Sequence, residues 1–138
     1  MRTHNTLRRS RESGQSVIET ALTIVIIFTV VFWIFEVGWL VYTYSVMADA
    51  ANEGVRHAIV RSGGDAGGGT QTTVKNFASA SLHDTSSILV DVTPPDGDYI
   101  PPHRVRVKVS YTYVPWLSGF MKDPPAMSTY SEGRMVVQ

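Results

Sequence analysis

The hydrophobic pattern of this chain changes period along its length. Residues 21–35 are fifteen consecutive positions without a charged side chain. Glu36 interrupts the run, and apolar character resumes through Val37, Trp39, Leu40, Val41, Tyr42, Val46 and Met47. A bilayer core takes about 20 apolar residues in a helix. Residues 21–47 are therefore long enough to span one, and they contain no proline. Further on, Met47, Ala50, Ala51, Val55, Ala58 and Ile59 recur at spacings of three and four, opposite Asp49, Asn52, Glu53, Arg56 and His57. That is the stripe of an amphipathic helix. Glu53 precedes Arg56 and His57 by three and four, the favourable order for surface pairs. The pattern predicts one helix over residues 15–61, roughly 70 Å long at 1.5 Å per residue. Its first half suits lipid, and its second half lays an apolar stripe on a folded domain.

Five glycines among residues 62–69 predict the end of that helix and a flexible connection. Thr72 or Thr73 is the expected cap of a second helix carrying Val74, Phe77, Ala78 and Leu82, with Asp84 just past its end. The period then becomes two. Residues 87–92 read as a short strand, and the four prolines and Asp-Gly of residues 93–102 as a loop. Over residues 103–114, Val105, Val107, Val109, Tyr111 and Tyr113 alternate with Arg104, Arg106, Lys108, Ser110 and Thr112, as in a strand buried on one face. Residues 115–125 form a second loop with Trp116, Leu117, Phe120 and Met121. Residues 127–137 read as a last strand, bulged at Gly133. A domain as small as residues 62–138 rarely closes a core alone, so the stripe at residues 46–61 supplies the missing side. The expected fold is α+β: a long N-terminal transmembrane and amphipathic helix packed on a small antiparallel sheet of about three strands.

Total charge hides a segregation. Lys plus Arg equals Asp plus Glu at 12 each, and this balance argues against nucleic-acid binding, which needs a basic surplus. Yet Arg2, Arg8, Arg9 and Arg11 face only Glu12 within residues 1–14. The positive-inside rule then places residues 1–14 in the cytoplasm as a basic leader, and residues 62–138 outside the inner membrane. Trp39, Tyr42 and Tyr44 suit the headgroup region at the far end of the span. Ala48-Asp49-Ala50 offers a rival reading as a signal-peptidase site, but a signal core has about 7–15 apolar residues, fewer than this run.

Catalytic patterns are not found. The chain has no cysteine, which excludes disulfides, thiolate catalysis and cysteine zinc sites. The glycine run lacks a following Gly-Lys-Ser/Thr and reads as a linker. His4, His57, His83 and His103 show no ligand spacing. Asp96-Gly97-Asp98, with Asp91 nearby, has the wrong order for an EF-hand loop, and turn chemistry accounts for it better than calcium. No cofactor is expected. The unusual residues are Glu19 and Glu36, in or beside an apolar segment. An ionised carboxylate there costs about 2.5–3.5 kcal/mol on insertion scales. Either each lies near an interface, or each pairs with a group on another helix.

The leader is followed by Gly14-Gln15-Ser16-Val17-Ile18-Glu19 and then the apolar helix, an order that resembles a type IV prepilin cleavage site. The chain continues with Phe35-Glu36-Val37-Gly38-Trp39-Leu40 and Tyr42, then Ala50-Ala51-Asn52-Glu53-Gly54-Val55-Arg56-His57-Ala58. These blocks resemble the TadE-like family, pseudopilins of the tight-adherence (Flp, type IVb) pilus apparatus. The resemblance is dense over residues 14–61 and diffuse over the C-terminal strands. It departs from the common pattern at Gln15, Thr20 and Trp39. It implies a non-enzymatic minor pilin-like subunit acting in pilus assembly or initiation. It also implies processing by a prepilin peptidase between Gly14 and Gln15, and pilins, pseudopilins and assembly proteins as partners. Cutting there removes the leader arginines and creates an amine at Gln15, for which Glu19 of a neighbouring subunit is a counter-ion. Glu36 is a second candidate for helix pairing. The alternative is an uncleaved single-pass anchor presenting an extracytoplasmic binding domain.

Overall fold

A computed structural model describes residues 4–61, 67–116 and 125–136, with side chains from Gly14 onward. The elements run α1 (His4–Val60), α2 (Gly68–Ser79), β1 (Leu89–Thr93), β2 (Arg104–Thr112) and β3 (Ala126–Arg134). The chain divides into two compact units, Met1–Gly38 and Trp39–Gln138.

The first unit is the N-terminal part of α1. Its helix begins at His4 and so includes much of the expected leader. No proline interrupts it, and the hydroxyls of Thr20, Thr23 and Thr29 donate to the carbonyls of Ser16, Glu19 and Val25, one turn back, at 2.8–2.9 Å. That local bond satisfies a polar side chain in apolar surroundings without breaking the helix. Ile18, Leu22, Phe28, Trp33 and Phe35 are all exposed. A water-soluble helix with so wide an apolar surface would be unstable; lipid is the solvent in which it is cheap.

The second unit holds the core. Val46, Met47, Ala50, Ala51, Val55 and Ala58 of α1 are buried against the β2 side chains Val105, Val107, Val109 and Tyr111, with Tyr113 just beyond the strand. The expected stripe is therefore the helix face on the sheet, widened at its start by Val46 and Thr43. Thr43 is fully enclosed and donates to the Trp39 carbonyl at 2.9 Å. The sheet order is β1-β2-β3, antiparallel throughout. The sequence alternation in β2 sends valines to α1 and leaves Arg104, Arg106 and Lys108 exposed, as expected. This is a long N-terminal apolar helix whose Trp39–Val60 portion packs on a three-stranded antiparallel sheet, a pilin-like α+β arrangement.

Three expectations need correction. The second helix starts at Gly68, inside the glycine run, and not at Thr72 or Thr73. Those two threonines lie within it and bond back to the carbonyls of Gly68 and Gly69 at 3.1 and 3.0 Å. Burial of Thr70 and Val74 outweighs the poor helix propensity of glycine, while Phe77 is 39% exposed. Gly133 is not a bulge: β2 and β3 keep one register from Arg104↔Arg134 to Thr112↔Ala126. A Cβ at Gly133 would instead lie 2.5 Å from Ile59 Cδ1 and 2.6 Å from Val55 Cγ1, so the glycine lets strand and helix approach. His57 does not pair with Glu53. Its Nδ1 meets the buried Thr70 hydroxyl at 3.1 Å, tying α1 to α2, while Glu53 faces Arg56 at 3.8 Å.

Candidate functional site

The expected site residues lie along the first unit of α1. Gly14 is exposed, and a Cβ added there would meet nothing within 4 Å. Gln15 is exposed in the next position of the same unbroken helix. Glu19 follows one turn later and is also exposed, so Gly14, Gln15 and Glu19 form one accessible stretch. Glu36 differs. Its side chain is only 7% exposed, and it is not without a polar partner. Seventeen residues separate the two carboxylates, about 26 Å along a helix. The structure therefore does not bring Glu19 and Glu36 together.

The loop acids have ordinary structural work. Asp96 accepts from the Arg104 backbone N–H at 2.8 Å and from the guanidinium at 2.9 and 3.3 Å. These bonds hold its carboxyl down at about 2, well below 3.8. Asp98 pairs with His103, whose hydrogen bond also lowers its carboxyl. Gly97 between them has φ +104°, the turn conformation that glycine allows. Both carboxylates thus close the β1–β2 loop onto β2, as turn chemistry requires. Among the described residues, no group of three His, Asp or Glu side chains is placed to hold a metal.

Folding also assembles an aromatic cluster that sequence reading missed. Trp39 comes from α1, His83 from the turn after α2, and Trp116 from the segment after β2. The Trp39 and Trp116 rings meet edge-on, with centroids 6.3 Å apart at 86°. His83 lies 5.5 Å from Trp116 and 6.0 Å from Trp39, and Tyr42 lies 5.2 Å from Trp39. Trp39 had a signal, as an aromatic at the end of an apolar run. Trp116 had one as an exposed apolar residue in a loop. Nothing in the spacing of the histidines marked His83. Leu117, Phe120 and Met121, expected beside Trp116, lie outside the described residues.

Comparison with known families finds a likeness in the helix. Residues 14–56 match the family described as TadE-like protein. This segment, under a third of the chain, is similar to the TadE-like family. Neither a curated protein nor a solved structure matches the chain. The TadE-like stretch opens on Gly14, contains Glu19 and Glu36, and ends at Arg56 within the stripe that packs on the sheet. α2 and the three strands lie beyond it, so the diffuse resemblance expected there is not part of the match. The TadE-like stretch lies wholly within the helix that is long and apolar enough to cross a membrane.

Proposed function

We propose that this protein is a minor pilin-like subunit acting in the assembly or initiation of a tight-adherence type pilus, with no catalysis of its own. The observation that carries the reading is the TadE-like segment, which begins at Gly14 and continues through an apolar helix into the core of a small α+β domain. In this reading the chain crosses the inner membrane once, with its basic N-terminus in the cytoplasm and its folded domain outside. A prepilin peptidase cuts between Gly14 and Gln15, both of which are exposed.

The new amine at Gln15 carries a positive charge into an apolar setting. The Glu19 carboxylate of a neighbouring subunit neutralises it, because each ion alone is costly in lipid. Only one stagger of adjacent helices makes that pair, so charge selects register. Glu36 is buried, and pairing with an assembly protein would require it to exchange its present partner.

One observation favours a second reading. The helical backbone runs unbroken from His4 through Gly14 and Gln15, as suits an uncleaved single-pass anchor that presents the α+β domain. Intact mass and N-terminal sequencing of the chain from its native membrane separate the two. A start at Gln15 that depends on the prepilin peptidase supports the pilin reading. A start at Met1 with and without the peptidase leaves the anchor.

A further inference from the structure

In the aromatic cluster of Trp39, Tyr42, His83 and Trp116, only Trp39 packs against the core. Trp116 remains 70% exposed and Tyr42 44% exposed although their rings touch neighbours. Ring contacts alone add only modestly to stability, and they leave most of the Trp116 surface still facing solvent. These side chains share one property: an apolar body with a polar tip. That property concentrates Trp and Tyr at the headgroup layer of a bilayer. Trp39 directly follows Gly38, where the apolar first unit ends. Tyr44, five residues further on, is also exposed at 48%. The helix supplies half of such a belt by sequence alone; His83 and Trp116 are brought to it by the fold.

We infer that the Trp39–His83–Trp116 cluster is a lipid-docking surface that seats the folded domain on the headgroup layer of the membrane its helix crosses. This rests on α1 being a membrane span. The ligand is the lipid interface, since Trp39 and Tyr42 continue directly from the span. Attraction comes from the rings and not from charge, so docking needs no anionic lipid. In the unassembled subunit the surface holds the domain against the bilayer; extraction of the helix from lipid releases it.

The test uses the full chain in phosphatidylcholine vesicles at about one copy each. One variant keeps only Trp116 (Trp33→Phe with Trp39→Phe), and another keeps only Trp33 (Trp39→Phe with Trp116→Phe). Because interfacial aromatics sit at headgroup depth, lipid brominated high on its acyl chains should quench Trp116 at least about twofold more than lipid brominated near the chain ends. Trp33 should show the reverse order. Quenching of Trp33 with none of Trp116 overturns the docking surface while leaving the span intact. No quenching of Trp33 overturns the span itself, and docking with it.

A second measurement keeps all three tryptophans. The chain lacks cysteine, so His83→Cys and Tyr130→Cys each accept a single nitroxide. Tyr130 is 66% exposed under Arg106 on the sheet face turned from α1. The label at residue 83 should favour collisions with oxygen, and the label at residue 130 with an aqueous nickel chelate. Aqueous accessibility at both sites overturns the proposal. So does a residue-83 signal that becomes protected only as the number of copies per vesicle rises, which would assign the surface to a second copy of the chain.

Discussion

Gly54 on α1 and Val74 on α2 approach so closely that a Cβ on the glycine would lie 2.5 Å from Val74 Cγ2. The same Cβ would be 3.1 Å from Val107 Cγ1 of β2. One position of α1 therefore touches both of the elements that close the core. A glycine in a helix costs about 1 kcal/mol against alanine, and here its small size allows two helices and a strand to meet.

Replacing that glycine should overpack the junction. Gly54→Ala should destabilise the folded domain by about 1–3 kcal/mol despite its better helix propensity. Gly54→Ala combined with Val74→Ala should recover part of the loss. Denaturant unfolding of the full chain in detergent measures both. Additive losses in the double variant would sink the contact.

Gly133 makes the matching prediction on the other side of α1. Gly133→Ala forces Val55 and Ile59 aside and should cost about 1–3 kcal/mol. A partner substitution, Ile59→Val, should relieve it in part because Ile59 Cδ1 is the nearest atom. If a bulge were the reason for the glycine, no change at Ile59 would help.

Asp96 gives stability a pH dependence. Its folded carboxyl titrates at about 2 and its ordinary value is 3.8, the largest cause being the hydrogen bond from the Arg104 side chain. The group binds fewer protons folded than unfolded in this window, so its contribution is full above the ordinary value and is lost as pH falls toward 2. Asp96→Asn should lower stability near neutrality and flatten the acid limb. Melting temperatures of the two proteins should converge as pH falls; parallel curves would contradict the pairing.

Glu19→Gln tests the assembly mechanism. If the variant is still cleaved after Gly14, the mature amine has no counter-ion from its neighbour. Loss of an interaction near 1.4 kcal/mol per contact lowers pairing about tenfold, so copurification with other pilus subunits should fall by about that factor. Glu19→Asp should recover some of it. Peptidase processing measured by mass should be unchanged. Wild-type copurification of Glu19→Gln would remove the charge-pairing argument.

How much of this was legible beforehand depends on the range over which each signal acts. The apolar run, the helical stripe over Met47, Ala50, Val55 and Ala58, and the alternation in β2 are local patterns. Each names the buried face directly, because helix and strand periodicities act within a few residues. The TadE-like blocks are likewise contiguous, and the match to residues 14–56 lies within the resemblance read from them.

Other features depended on partners distant in the chain. The start of α2 at Gly68 overrides propensity because Thr70 and Val74 find a core. His57 turned to Thr70, thirteen residues away, and not to Glu53 on its own helix. Gly133 owed its identity to Val55 and Ile59 on α1, which no strand pattern contains. Trp39, His83 and Trp116 became neighbours only when α1, the turn after α2 and the end of β2 packed together. Sequence alone determined which faces are apolar, since hydrophobicity and backbone period are properties of the segment. Tertiary structure decided which small residues, rings and hydroxyls meet, since close packing joins atoms far apart along the chain.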